Sequence, residues 1–489
     1  MCVLFTALVL PTVGEGVSSW DSHKIQVAVR ALLDGGTVML SRPPGHPTTE
    51  FFLFGGIGWV VERWLGGRFN ETLFLTMQWL VALGVAAMGY AWLRRTGLDA
   101  VKALLVVSAL LFSPQFLDQT VNGEEILYAL LFLFSALFVL AGGAAEKLSG
   151  WRIAAAIALF ALAVGCRAEF VLCGAVFLPV ALIQRGVRDG RTWTLAVAGS
   201  VLAVALVWSP VLPVIWRDGS RAGDVADIHG APVVLVWGYK VIFRSFGFPV
   251  SLVLVAASLL ALKDLVRAAR PWAKREWTVL GVLLLVAMLL GLFLWQPGKP
   301  AYMLVCLPFL LWLVAQRANG WLVGVAALTA ISACVGVDIF RDRELTKPHL
   351  VPGAYRAAIS EKPARRLAYI TQLARTEVAR KSVIVGDAWS WVYEHHLERG
   401  NWPARRERLQ SIGIGGYRLE GDPDRIVLPR EATFLREPLR RAHEAGYEIV
   451  MDRTLWRTLY ARYQVTLVTG DQAMIGRIPV RLVDVEDRE

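Results

Sequence analysis

SSWDSHKIQVAVRALLDGGTVMLSRPPGHPTTE, residues 18–50, lies between two apolar runs and gathers Trp20, Asp21, His23, Asp34, Arg42, His46 and Glu50 in one short stretch. Ile25, Val29 and the pair Leu32-Leu33 recur at helical spacing. Residues 22–34 are therefore expected to form a short amphipathic helix lying in a membrane interface. Gly35-Gly36 ends that helix, and Pro43, Pro44 and Pro47 forbid a continuous one. The next run, 51–65, is apolar but only about fifteen residues long and is interrupted by glycine. That length suits a re-entrant or interfacial helix at least as well as a span. Whether 51–65 crosses sets the side of every loop after it.

The rest of the chain supplies the membrane. It has 489 residues, 55% of them hydrophobic, and a mean hydropathy of +0.49. Apolar runs of about 18–20 residues, long enough to cross ~30 Å of hydrocarbon, recur along it. Eleven spans are expected: about 1–17, 71–93, 100–117, 126–143, 152–166, 170–184, 193–215, 248–262, 277–295, 303–316 and 321–338. The nineteen Trp residues suit interfacial belts. The net charge of +11 sits in short loops and in the tail, so it reads as a topology signal and needs no nucleic-acid partner. Residues 1–17 lack a basic leader region and a clear cleavage site, and are read as a first span. Cys2, Cys166, Cys173, Cys306 and Cys334 lie in or near apolar spans and suggest neither a disulfide framework nor a thiolate metal site.

Charge asymmetry orients the spans. Loops after the second, fourth, sixth, eighth and tenth spans hold nearly all the loop Lys and Arg. The alternation holds only if 51–65 does not cross. The N-terminus is then cytoplasmic. The loops 18–69, 118–125, 217–231 and 296–301 are extracytoplasmic, and eleven spans place the tail outside as well. The chain is thus expected to divide into a membrane domain, 1–340, and a soluble extracytoplasmic domain, 341–489. In the tail, Ser382 to Val385, Arg425 to Leu428, Glu448 to Met451 and Val465 to Thr469 read as strands. Helical patterns at 388–399 and 433–446 lie between them, which gives a small α/β domain. Gly413 to Gly416 is not a dinucleotide fingerprint, since no strand-to-helix context surrounds it.

Several residues can carry chemistry. Asp21, just past the first span, is either a general base beside the membrane or an N-cap of the helix after it. Glu124 and Glu125 open the fourth span. A helix macrodipole explains one acid there; two adjacent acids suggest a cation, a sugar or a basic partner. Arg167 and Glu169 sit between the fifth and sixth spans and either pair with each other or leave Arg167 to hold a phosphate. Lys299 and Tyr302 could meet a lipid phosphate, or be a snorkelling Lys and a belt Tyr. His46, in Pro43-Pro44-Gly45-His46-Pro47, could join Asp21 or Glu50 on a metal, but a structural hydrogen bond explains it more simply. His229 and His395-His396 lack a partner at convincing spacing.

Together these features resemble the GT-C membrane glycosyltransferases that use polyprenyl-phosphate sugars, such as the protein O-mannosyltransferases and the aminoarabinose transferases of lipid A. Asp21 matches the acid after the first span, and SRPPGHPTTE matches the His-Pro turn with its order altered. Ser113-Pro114 followed by Glu124-Glu125 matches the second acidic site. Arg167-Ala-Glu169 matches the basic position near the end of span 5, and Lys299-Pro-Ala-Tyr302 through Pro308 matches the late Lys–Tyr–Pro stretch. The resemblance covers about residues 1–340. It implies a polytopic GT-C-like enzyme in the inner (plasma) membrane that transfers sugar, with inversion, to a lipid, envelope glycan or protein. Asp21 would be the base, and Glu124 or Glu125 would position the acceptor or a divalent cation, which Asp21 could share. Arg42, His46, Glu50, Arg167, Glu169, Lys299 and Tyr302 would line the substrate site, with Arg167 and Lys299 on the phosphate. The competing readings are a transporter or flippase of envelope lipids and a non-catalytic assembly protein. The first should show paired repeats and midplane broken helices, and no half-to-half similarity is present.

Overall fold

The structure, a computed structural model, describes residues 1–10, 20–36, 50–123, 125–141, 148–210 and 274–295, most of 366–485, and shorter pieces elsewhere. The chain divides into two compact units, Met1–Ile359 and Ser360–Glu489.

The first unit is mainly helical, with one short antiparallel strand pair, Val337–Asp338 and Val351–Pro352. α1 is Cys2–Val9, α2 Trp20–Gly35, α3 Glu50–Trp64, α4 Glu71–Arg95, α5 Ala100–Leu111, α6 Pro114–Asn122, α7 Ile126–Leu140 and α8 Gly150–Cys166. α9 is Val171–Gln184, α10 Gly190–Trp208, α11 Lys274–Trp295 and α12 Leu307–Arg317. α4 and α10 are each long and apolar enough to cross a membrane, and a bent pair of helices over α5 and α6 would make a third crossing. α7, α8, α9, α11 and α12 supply shorter apolar stretches. The expected span at 248–262 lies almost wholly outside the described residues, and that at 321–338 is described only in pieces.

Local chemistry explains the best-formed span. The Asn70 side chain accepts from the Leu73 N–H at 2.9 Å, Glu71 lies in the first turn of α4, and Arg94 and Arg95 lie in the last. Cap and charges all match the helix dipole. Trp92 of α4 stacks on Phe134 of α7 at 5.6 Å and meets Phe309 of α12 edge-on at 5.7 Å. Phe309 in turn meets Phe177 of α9 at 4.9 Å. These rings form one apolar centre to which four helices contribute. Arg152 is buried, and its guanidinium donates to the Val139 carbonyl at 2.9 and 2.6 Å. It caps a carbonyl at the C-terminal end of α7.

Residues 100–117, expected as one span, are broken. Ser113 caps a new helix by accepting from the Phe116 N–H, and Pro114 occupies its first turn. Proline has no N–H to continue the ladder from α5 but suits the first turn of α6. The two helices bend by 61°. α6 ends at Gly123, whose φ of +68° is a left-handed conformation suited to glycine. A Cβ there would stand 2.4 Å from Phe74 Cε1. Gly123→Ala is therefore expected to destabilise the unit by about 1–3 kcal/mol, and Phe74→Leu in the same chain to recover part of the loss. Thermal unfolding in detergent reads both.

Residues 22–34 were expected to be helical, and α2 includes them. The 51–65 run forms α3, fifteen residues long, and packs against α2. A Cβ on Gly58 would meet Leu33 Cδ1 at 2.8 Å, so glycine permits this close approach. Arg30 of α2 ties the pair. It donates to Asp34 at 2.8 and 2.5 Å and to Glu62 Oε1 of α3 at 2.6 Å, and the Phe69 N–H also donates to Glu62 Oε1 at 3.0 Å.

These hydrogen bonds from Arg30 hold Asp34 and Glu62 below the usual carboxylate range. A lowered folded pKa contributes stability above the ordinary value, and that stability is lost as pH falls through the folded one. Amide protection factors across α2 and α3 should accordingly fall below about pH 4. Arg30→Met should abolish that dependence; protection that falls equally in Arg30→Met would show that the ties are irrelevant to it.

The second unit holds an eight-stranded sheet: β1 Ser382–Val385, β2 Ala404–Leu409, β3 Ile414–Leu419, β4 Asp422–Leu428, β5 Glu448–Asp452, β6 Thr466–Thr469, β7 Gln472–Ile475 and β8 Ile478–Val483. The order is β2-β3-β4-β1-β5-β8-β7-β6. The central four are parallel, with Ser382 opposite both Arg425 and Glu448, and Arg481 opposite Val450; antiparallel strands flank them. Helix α13, Arg436–Glu444, precedes β5, and its Leu439 and Ala442 share a core with Val383, Ile426 and Met451. Of the Gly413–Gly416 stretch, residues 414–416 lie in β3 and Gly413 is outside the described residues.

Candidate functional site

Three of the acidic and basic residues singled out from the sequence meet in one buried cluster. α8 stops at Cys166 because Arg167 takes an extended conformation, φ −148° and ψ 121°, and a single 3-10 turn, Ala168–Phe170, then leads into α9. Arg167 thus sits at a corner, with its side chain turned inward. Its Nη1 donates to Glu125 Oε1 at 2.6 Å, and its Nε and Nη2 reach Glu169 Oε1 at 2.7 Å. The side chains of Arg167, Glu125 and Glu169 are 4%, 1% and 8% exposed.

Glu125 stands immediately before α7, with no side-chain cap bond. Its main-chain carbonyl accepts from the N–H groups of Tyr128 and Ala129, so the backbone starts the helix while the carboxylate faces Arg167. The expected pairing of Arg167 with Glu169 is present, and Glu125 joins it. The guanidinium fork is engaged by two carboxylates. Removing either partner from such a buried ion pair leaves a charge uncompensated in a poorly polarisable setting.

Uncharged polar groups lie on the neighbouring elements. Gln78 Nε2 of α4 donates to the Gln119 carbonyl of α6 at 3.2 Å. Tyr128, one turn after Glu125, is packed by Phe54 of α3 with ring centres 4.8 Å apart, and Phe54 meets Phe74 of α4 at the same separation. Phe54 thus brings the α2–α3 hairpin against the start of α7. Neither Gln78, Gln119 nor Tyr128 was marked by sequence reasoning. Their helical spacing to Phe74 and Glu125 was the available signal.

Other expected site residues are placed only in part. Asp21 lies in the first turn of α2 and Glu50 is the first residue of α3; their side chains are outside the described residues. Arg42, His46, Glu124, Lys299 and Tyr302 lie outside them altogether. Among the described residues, no group of three or more His, Cys, Asp or Glu is placed to hold a metal ion.

No protein-family model and no curated protein matches the sequence. Solved structures do match the fold. ArnT from Cupriavidus metallidurans in the apo state is 14% identical with a TM-score of 0.50, over 81% of this chain and 84% of that one. The same protein bound to undecaprenyl phosphate is 13% identical with a TM-score of 0.51, over the same shares. The chain shares the fold of these ArnT structures.

Proposed function

We propose that the chain is a membrane glycosyltransferase that moves a sugar from a polyprenyl-phosphate donor to an extracytoplasmic acceptor. The observation that carries this reading is the fold shared with ArnT over 81% of the chain, one ArnT structure having undecaprenyl phosphate bound. The Glu125–Arg167–Glu169 cluster supports it, because buried ionisable groups in a membrane protein usually mark a functional site.

In the proposed reaction an acceptor hydroxyl or amine attacks the anomeric carbon of the donor from the face opposite the phosphate. The new bond forms as the carbon–oxygen bond to phosphate breaks, and the polyprenyl phosphate leaves with the electron pair. Asp21 takes the acceptor's proton. Lys299, with Tyr302 beside it, steadies the charge growing on the phosphate. Arg167 was expected to share that task; its observed partners favour another role, in which it holds Glu125 and Glu169 in place. Glu124 or Glu125 then orients the acceptor or a divalent cation, while Arg42, His46 and Glu50 line the substrate from the first outer loop. The acceptor class is a lipid, an envelope glycan or a protein.

The topology belongs to the same proposal: eleven crossings in an inner membrane, with residues 1–340 forming the membrane domain and the site and the 341–489 domain extracytoplasmic. Membranes with and without the chain, given a radiolabelled pool of polyprenyl-phosphate sugars, test the function. Label should enter a new acceptor only where the chain is present. Equal labelling in both would oppose the reading.

A further inference from the structure

On the segments that flank Glu125, two buried polar atoms have no hydrogen-bond partner among the described residues. Tyr128 is 5% exposed and Gln119 is 2% exposed. The Tyr128 hydroxyl and the Gln119 side-chain oxygen are both unbonded. Leaving such an atom unsatisfied is costly, so these positions point to something supplied from outside the chain.

Their surroundings show that the pair is not a general failure of polar packing. On the same segment, Ser113 Oγ donates to the Leu110 carbonyl and Thr120 Oγ1 to the Phe116 carbonyl, each at 2.8 Å. Those hydroxyls close on their own helices. Tyr128 cannot do so, because its hydroxyl is carried far from the backbone by a ring held against Phe54. Gln119 uses its main-chain carbonyl to receive Gln78, which leaves its side-chain oxygen open. Both residues lie in the stretch that leads into and out of Glu125, Tyr128 one helical turn after it.

The chemistry of the pair narrows the ligand. A phenol both donates and accepts, and an amide oxygen accepts; neither is charged. A phosphate asks for cations, and the guanidinium that meets Glu125, that of Arg167, is engaged by Glu125 and Glu169. Sugar hydroxyls match both groups. We infer that Tyr128 and Gln119 form a subsite for the sugar ring of the lipid-linked donor. The inference rests on the glycosyltransferase reading above and adds to it the residues that distinguish a sugar-bearing lipid from the bare lipid phosphate.

The test is a binding comparison on the full chain in nanodiscs. The probes are undecaprenyl phosphate and a panel of undecaprenyl-phosphate hexoses and pentoses. The wild type should bind at least one sugar-bearing lipid more tightly than the bare lipid. Tyr128→Phe and Gln119→Met should each remove about tenfold of that preference. Binding of bare undecaprenyl phosphate should stay unchanged and the unfolding midpoint of the lipid-free protein should not fall, because the removed groups hold nothing within the described protein; a merely structural role would lower it. Variants that keep the whole sugar preference would overturn the inference while leaving the glycosyltransferase reading intact, with water as the occupant of the site. A wild type that binds none of these lipids would overturn that reading, and the subsite with it.

Discussion

Asp21→Asn is expected to abolish sugar transfer while leaving the folded protein in the membrane. Loss of a general base costs about 10²–10⁴ in rate, so turnover should fall by at least a hundredfold. The choice of Asn separates the two roles open to this residue. Asp21 lies in the first turn of α2, where a carboxylate can also support the helix N-terminus. Inside the first turn the carboxylate supports the helix by its charge, worth about 0.3–1 kcal/mol, so Asn keeps the shape and removes that small support together with the base. If Asp21 only supports α2, the Asn and Ala variants both stay active with slightly lowered midpoints. If Asp21 is the base, both variants are inactive, and the Asn variant still unfolds close to the wild-type temperature. Turnover with a labelled donor, measured beside thermal unfolding, separates these outcomes.

Arg167→Met should produce the largest loss of stability. It leaves Glu125 and Glu169 buried without the guanidinium between them. Breaking one partner of a buried ion pair costs about 3–5 kcal/mol, a large part of the stability of a typical domain. The expected result is a sharp drop in protein recovered from membranes and in the unfolding midpoint. The cause is testable in the same chain. Adding Glu125→Gln and Glu169→Gln removes the stranded charges, and the triple variant should regain most of the midpoint without regaining transfer. A triple variant as unstable as Arg167→Met would show that the guanidinium acts through packing instead. Arg167→Lys should not rescue fully, because an ammonium cannot present the same fork to two carboxylates.

How far the sequence could be read varies by element. The short helix after the first apolar run was legible from the spacing of Ile25, Val29 and Leu32, and α2 covers it. Glu125, Arg167 and Glu169 were each visible as charges beside apolar runs. Their meeting was only half visible, since Glu125 and Arg167 are 42 residues apart. It needs the antiparallel packing of α7 on α8, which puts the start of one beside the end of the other. The break at Ser113-Pro114 was written in the cap and the proline, yet the apolar run around it was read as continuous. Arg30 and Glu62, 32 residues apart, left no local signal.

In the tail, the buried β1 (SVIV) and the aliphatic parts of β4 and β5 read as strands. β2 (ARRERL) did not, because an edge strand can carry arginine and be held by backbone pairing alone. Asp21, the residue on which the chemistry is staked, was marked by position and by resemblance.

The most direct test of the account is the fate of the donor. Purified full-length chain in nanodiscs would be given a polyprenyl-phosphate sugar or a nucleotide sugar, each with an envelope extract as acceptor, and the products would be followed by mass spectrometry. The account predicts that the lipid-linked donor is consumed, that free polyprenyl phosphate appears, and that its sugar is found on an acceptor with inverted anomeric configuration. Release of nucleoside diphosphate, or no release of polyprenyl phosphate from any lipid-linked donor while the protein is folded, would contradict it.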